Sequence, residues 1–195
     1  MGTRIGVLAL QGAVSEHIDA FRRALETLDP SGYSSVIPVR SADQISDLDG
    51  LAIPGGESTT ISRLIDKNQM RGSIEEFEGG IFATCAGMVL MSTVVDDSRI
   101  RTLGLIEMSV ERNAFGRQKE SFETDLEMKG FDIPYHAIFI RAPVVTGCGA
   151  GVEVLSKIEK GIVAVRKDRH FALAFHPELS TDPRIHIRFI QGLGV

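Results

Sequence analysis

The sequence predicts an α/β three-layer sandwich with a mostly parallel central sheet and helices on both faces. Three observations carry that prediction. Near-continuous apolar runs alternate with helical stripes through residues 4–91. Glycine-containing loops directly follow the apolar runs at Gln11-Gly12-Ala13 and Pro54-Gly55-Gly56. A meander of short apolar segments then fills residues 152–175. Strand and helix in alternation require parallel pairing through right-handed crossovers, which covers both faces of the sheet. A strand covered on both faces has no reason to alternate polar with apolar residues.

Taken in order, residues 4–10 form the first buried strand and Gln11-Gly12-Ala13 the turn after it. Val14, Ile18, Phe21, Leu25 and Leu28 then fall on one helical stripe, with Glu16, Asp19, Arg22, Arg23 and Glu26 elsewhere. Asp29-Pro30-Ser31-Gly32 ends the helix. Residues 36–39 make a short strand whose Pro38 places it near an edge. Ser41 caps a brief helix through Leu48, and residues 50–53 form the third strand. In the next loop, Ser58 or Thr59 can cap a helix that buries Ile61, Leu64 and Ile65. Residues 103–111, 121–127 and 137–140 read as further strands, and residues 152–155, 161–165 and 170–175 as the meander. Residues 183–193 close the chain as a helix.

The 195 residues, 43% hydrophobic and 24% charged, fit one globular domain spanning 1–195. A formal net charge of -5 argues against a partner held by broad phosphate contacts, so no nucleic acid is expected. No apolar run reaches bilayer length and no signal-peptide pattern opens the chain. Gly6 occupies the position where a myristoylation signal needs Ser or Thr. Cys85 and Cys148 do not form a disulfide framework, and neither has metal-type spacing to another Cys or His. The expectation is a cytoplasmic, reduced protein with no metal, no cofactor and no membrane association. Cys148 lies among glycines and reads as part of a loop.

Three stretches carry chemistry. In Ile81-Phe82-Ala83-Thr84-Cys85-Ala86-Gly87, an apolar run reaches a cysteine between small residues, and a second apolar run leaves at helical spacing. This pattern matches a strand, a sharp turn presenting a nucleophile, and a helix whose N-terminus favours thiolate. A buried apolar cysteine fits the same letters. Pro54-Gly55-Gly56-Glu57-Ser58 can be a tight turn, a phosphate cradle without the usual lysine, or half of an oxyanion hole. In His176-Pro177-Glu178, the two-residue spacing puts imidazole and carboxylate on one side of an extended chain. The same tripeptide can also be a charged turn. His17 and His186 fall within predicted helices, and His136 and His170 have no carboxylate two residues further on.

Together these stretches supply the roles of acyl transfer. Cys85 is the nucleophile, His176 the base and later the acid, and Glu178 the orienter. The oxyanion hole comes from the backbone of Gly55, Gly56 and Ala86. The sequence resembles the triad-type (class I) glutamine amidotransferases and, within them, the glutaminase subunits of pyridoxal 5′-phosphate synthase. The resemblance runs through Leu10-Gln11-Gly12-Ala13, Gly55-Gly56-Glu57-Ser58-Thr59-Thr60, Thr84-Cys85-Ala86-Gly87, Arg112-Asn113-Ala114-Phe115-Gly116-Arg117-Gln118, Ile140-Arg141-Ala142-Pro143 and His176-Pro177-Glu178. Ala83 departs from the glycine usual before Thr-Cys in that family.

The resemblance implies a flavodoxin-like sandwich of the class I amidotransferase type that hydrolyses L-glutamine to glutamate and ammonia. It further implies delivery of the ammonia to a (β/α)8-barrel synthase in a large hetero-oligomer. Carried over by residue, it implies glutamine contacts from Gly56, Glu57, Ser58, Arg112, Ile140 and Arg141. A zwitterionic substrate needs a cation for its carboxylate and polar groups for its ammonium, in agreement with that set. A cysteine peptidase would have no need of Arg112 and Arg141, and a non-catalytic regulatory subunit no need of the triad.

Overall fold

Every residue of the first run from Ile5 to Leu8 is buried, which accounts for its lack of polar alternation. The computed structural model describes residues 2–30, 32–115 and 121–194. In chain order these form β1 (Arg4–Leu8), α1 (Val14–Leu28), β2 (Ser35–Val39), β3 (Gly50–Ile53), α2 (Ser58–Lys67), α3 (Arg71–Glu75), β4 (Gly80–Thr84), α4 (Ala86–Met91) and β5 (Ser92–Val95). There follow β6 (Ile106–Glu111), β7 (Ser121–Leu126), β8 (Tyr135–Ile140), β9 (Val144–Cys148), β10 (Glu153–Ile158), β11 (Gly161–Lys167), β12 (His170–Leu173) and α5 (Arg184–Gln191).

The main sheet runs β2-β1-β3-β4-β12-β11-β9-β6-β5, with β10 paired to β11. Its first five strands are parallel, β11 and β9 are antiparallel to their neighbours, and β5 lies parallel to β6 at the far edge. The crossovers from β1 to β2 and from β3 to β4 travel in opposite directions. Right-handed connections therefore put α1 and α2 on opposite faces of the sheet. On the α1 face, Phe21 meets Phe82 of β4 edge-on at 5.3 Å, and Phe189 of α5 meets both rings. β7 and β8 form a separate hairpin, with Phe122 stacked on Phe139 at 4.6 Å. β2 is the edge strand that Pro38 predicts. Among the described residues, no helix is long and apolar enough to cross a membrane.

Several expectations need correction. The helix expected from Ser41 through Leu48 is a single 3-10 turn, Ala42–Gln44, closed by reciprocal bonds between Ser41 and Gln44. The cap of α2 is Glu57 rather than Ser58 or Thr59. Glu57 is the last extended residue, and its longer side chain reaches the amides of Thr59 and Thr60. Cys148 ends β9 and pairs with Met108. The glycine before it accompanies a register shift against β6, the bulge that a glycine inside a strand often marks. β5 and α3 escape sequence reading because each is short and buries few side chains. Ala83 lies inside β4, paired with Ile53 and Ala172, where alanine is well accommodated.

Candidate active site

β4 and β12 are parallel neighbours with Thr84 opposite Leu173, so the residues following them emerge side by side at one end of the sheet. Cys85 takes φ 47° and ψ −103°, and its amide donates to Leu173 O at 2.8 Å. Such a conformation costs a non-glycine residue about 1–3 kcal/mol and persists only where neighbours enforce it. Gly87 makes the turn possible: a Cβ there would lie 2.2 Å from Ile53 O, so α4 rests directly on the end of β3. α4 has only six residues, and it offers Cys85 backbone N–H groups more than a strong dipole.

The chain leaving β12 reaches His176, whose amide donates to Ile138 O of the β7–β8 hairpin at 2.8 Å. Pro177–Leu179 is a 3-10 turn with proline in its first turn, not the extended segment expected. Proline has the φ for that turn already set. The turn still brings the imidazole and carboxylate together, with His176 Nδ1 2.7 Å from Glu178 Oε1. Burial alone would depress the His176 pKa, yet hydrogen bonds to Cys85 and Glu178 raise it to about 10. Burial likewise opposes the Glu178 charge, but the imidazoles of His17 and His176 outweigh it and hold the carboxyl below its usual range. The order sulfur, imidazole, carboxylate is thus present.

The glycine loop is locked to the turn after β1. Gly55 O accepts from Ala13 N at 3.1 Å, and Glu57 N donates to Gln11 Oε1 at 2.9 Å. Gly55 must be glycine: a Cβ would lie 2.5 Å from His176 Cε1 and 3.3 Å from Cys85 Cβ. Its N–H donates to Thr84 Oγ1 at 3.0 Å and so points away from the cleft. Of the three backbone groups expected to hold an oxyanion, those of Gly56 and Ala86 do not share that engagement.

These loops border a cleft of about 550 Å³ whose lining includes Cys85, His176, Gly55, Gly56, Glu57, Ser58, Ala86, Arg112, Ile140 and Arg141. Every residue expected at the site lies on this wall except Glu178, which stands behind His176. Glu57 is largely committed to its cap. Its carboxylate accepts from Thr60 Oγ1 at 2.6 Å as well as from Thr59, which lowers its pKa to about 2 despite some opposing burial. Arg112 is bound through Nη1 to Asp97 and lies 3.9 Å from Glu57 through Nη2. Cys85 Sγ lies 3.7 Å from Ile140 O, and Arg141 adopts φ 44° at the rim. Gly116, Arg117 and Gln118 of the polar motif lie outside the described residues.

His17, Thr84 and Asp97 also support the site, none of them marked by the three motifs as a site residue. Thr84 stood beside the cysteine in the motif, the partners of His17 are distant in sequence, and Asp97 holds both its near neighbour Arg99 and Arg112 fifteen residues on.

The fold and the site define a glutamine amidotransferase of class I. The profile of the SNO glutamine amidotransferase family matches residues 7–194, and the chain belongs to that family. It is 60% identical over 195 residues, all of both chains, to the pyridoxal 5′-phosphate synthase subunit PdxT of Methanosphaerula palustris. The PdxT subunit of Methanoregula boonei is 59% identical over 193 residues, 98% of this chain and 100% of that one. A crystal structure of a glutamine amidotransferase superposes with a TM-score of 0.87 at 40% identity, covering 98% of this chain and 99% of the other.

Proposed function

We propose that this chain, acting as a single glutaminase domain in the cytoplasm, hydrolyses L-glutamine and passes the ammonia to a (β/α)8-barrel pyridoxal 5′-phosphate synthase subunit. The observation that carries the reading is the Cys85–His176–Glu178 relay opening onto a cleft with guanidinium groups at its rim. Cys85 Sγ attacks the carboxamide carbon as His176 takes its proton. Ala86 N–H and Gly56 N–H hold the resulting oxyanion. His176 then protonates the leaving nitrogen, the C–N bond breaks, and ammonia departs from a thioester. Water attacks the thioester with His176 as base, the C–S bond breaks, and glutamate leaves. Glu178 keeps the ring oriented and stabilises its positive charge.

Arg112 and Arg141 face the α-carboxylate, while Gly56, Glu57, Ser58 and the Ile140 carbonyl surround the α-ammonium. Identity near 60% to named PdxT subunits across whole chains supports the barrel synthase as the acceptor of ammonia. The test is glutamate release by the chain with its synthase, compared with Cys85→Ala. The variant is expected to bind the synthase normally and to show no turnover. Residual turnover near that of the native chain would remove Cys85 from the mechanism.

A further inference from the structure

His17 lies one helical turn into α1 and is completely buried, although nothing in the acyl-transfer chemistry above requires it. Its Nε2 lies 3.0 Å from Thr84 Oγ1 and 3.4 Å from Glu178 Oε2. Thr84 Oγ1 in turn accepts the Gly55 amide at 3.0 Å. One imidazole edge therefore stands between the far oxygen of the triad carboxylate and the side chain that anchors the glycine loop. Glu178 Oε2 is fully buried and, among the described residues, has no hydrogen bond of its own. A buried carboxylate oxygen without a donor is costly, and a donor within a small ring rotation relieves it.

We infer that His17 is a positioning residue for the glutaminase reaction, carrying its proton on Nε2 and tying the Glu178 carboxylate to the Gly55 loop through Thr84. The inference rests on the glutaminase reading above. The tautomer follows from the surroundings. Nδ1 has no partner among the described residues. A proton there would leave a buried N–H without an acceptor and turn a nitrogen lone pair toward Glu178 Oε2. A proton on Nε2 leaves only a lone pair unmet, and an orphaned buried N–H is the rarer defect in proteins.

The titratable groups facing His17 are Glu178 and His176 from the turn after β12, His186 from α5, and Glu16 on its own helix. A single carboxylate lies between two imidazoles. His176, in contact with the sulfur as well, carries the positive charge, and complete burial keeps His17 neutral. The Nε2–H of the neutral ring lies between Thr84 Oγ1 at 3.0 Å and Glu178 Oε2 at 3.4 Å, one proton shared by two acceptors. The same ring fixes Thr84, and Thr84 fixes the backbone beside the oxyanion site. Disturbing His17 is therefore felt on both sides of the reacting carbon.

The experiment measures glutamine hydrolysis against pH by the chain in complex with its synthase, for the native protein, His17→Leu, His17→Gln, Thr84→Val and Thr84→Ser. His17→Leu is expected to lower kcat about tenfold or more with KM nearly unchanged, the pattern of lost transition-state positioning. Its acid limb is expected to move up by about one pH unit, because Glu178 without a donor takes up a proton more readily. Gln, whose amide nitrogen can stand where Nε2 stood, restores most of the rate and the native acid limb. Thr84→Val lowers kcat, and Thr84→Ser does not.

His17→Leu with the native kcat and acid limb would overturn the inference while leaving the glutaminase reading intact. A native complex that releases no glutamate would overturn both. Should His17→Leu fail to fold, 15N spectra of the histidine side chains in the native full-length chain decide the matter. A neutral Nε2–H ring at His17 supports the inference, and an Nδ1–H ring removes it.

Discussion

His186 of α5 lies edge-on to Phe21 at 4.9 Å and tilted on Phe82 at 5.0 Å, so aromatic faces surround the ring. It is buried, and among the described residues neither ring nitrogen has a hydrogen-bond partner. Burial is the main cause that lowers its pKa to about 3. The folded chain then binds no proton at His186 in the interval where the unfolded chain, titrating near 6.5, does. Stability from this group is full above about pH 6.5 and drains as the pH falls toward 3. His186→Leu is therefore expected to shift the acid-unfolding midpoint to lower pH. It should also stabilise the chain at neutral pH by about 1–2 kcal/mol, the penalty for burying unpaired polar atoms. Chemical denaturation across pH 4–8 measures both effects.

Cys85, His176 and Glu178 were legible because a sharp turn and a short spacing are local properties. His17 was not, because its partners Thr84 and Glu178 come from β4 and the turn after β12. Glu57 both lines the cleft and caps α2 through its carboxylate, and the cap is a role that the Thr59 and Thr60 letters beside it permit but do not require.

At the scale of elements, the alternation of apolar runs and stripes was enough to reveal the parallel half of the sheet. The antiparallel half was less legible: β9 carries Gly147 beside its bulge, and β5 exposes Thr93 and Val94 at an edge. The contact between α4 and β3 makes a sharp prediction. Gly87→Ala places a methyl group 2.2 Å from Ile53 O, a backbone atom with little room to retreat. Overpacking of this kind costs about 1–3 kcal/mol, and here it also displaces the N–H groups beside Cys85. The variant is expected to melt several degrees lower. It should also lose glutamine turnover by about 100-fold or more, since misplacement by an ångström suffices for such a loss. Calorimetry and glutamate release measure the two effects separately.

At the scale of the whole molecule, the site is assembled from the ends of parallel strands and the separate hairpin. Cys85 follows the parallel strand β4, His176 follows β12, and the histidine's backbone is hooked to the β7–β8 hairpin. Across the cleft, the Gly55 carbonyl is bonded to Ala13 and the Gly55 amide to Thr84, an arrangement in which the loop is held rather than free. The isolated chain is therefore expected to be nearly inactive, and docking of the synthase to raise glutamate release by reorienting the glycine peptide. Full activity of the chain alone in a steady-state glutaminase assay would refute that expectation.

The run from β4 through Cys85 and α4 into β5 contains no slack: Gly80–Thr84 ends at the cysteine, Ala86–Met91 starts immediately after it, and Ser92–Val95 follows at once. A sulfur mounted on such a beam cannot swing toward an ill-placed amide without dragging a strand at the sheet's far edge. Adjustment has to come from the opposite wall, where the hydrogen bonds pinning Gly55 to Ala13 and Thr84 are the bolts that must loosen.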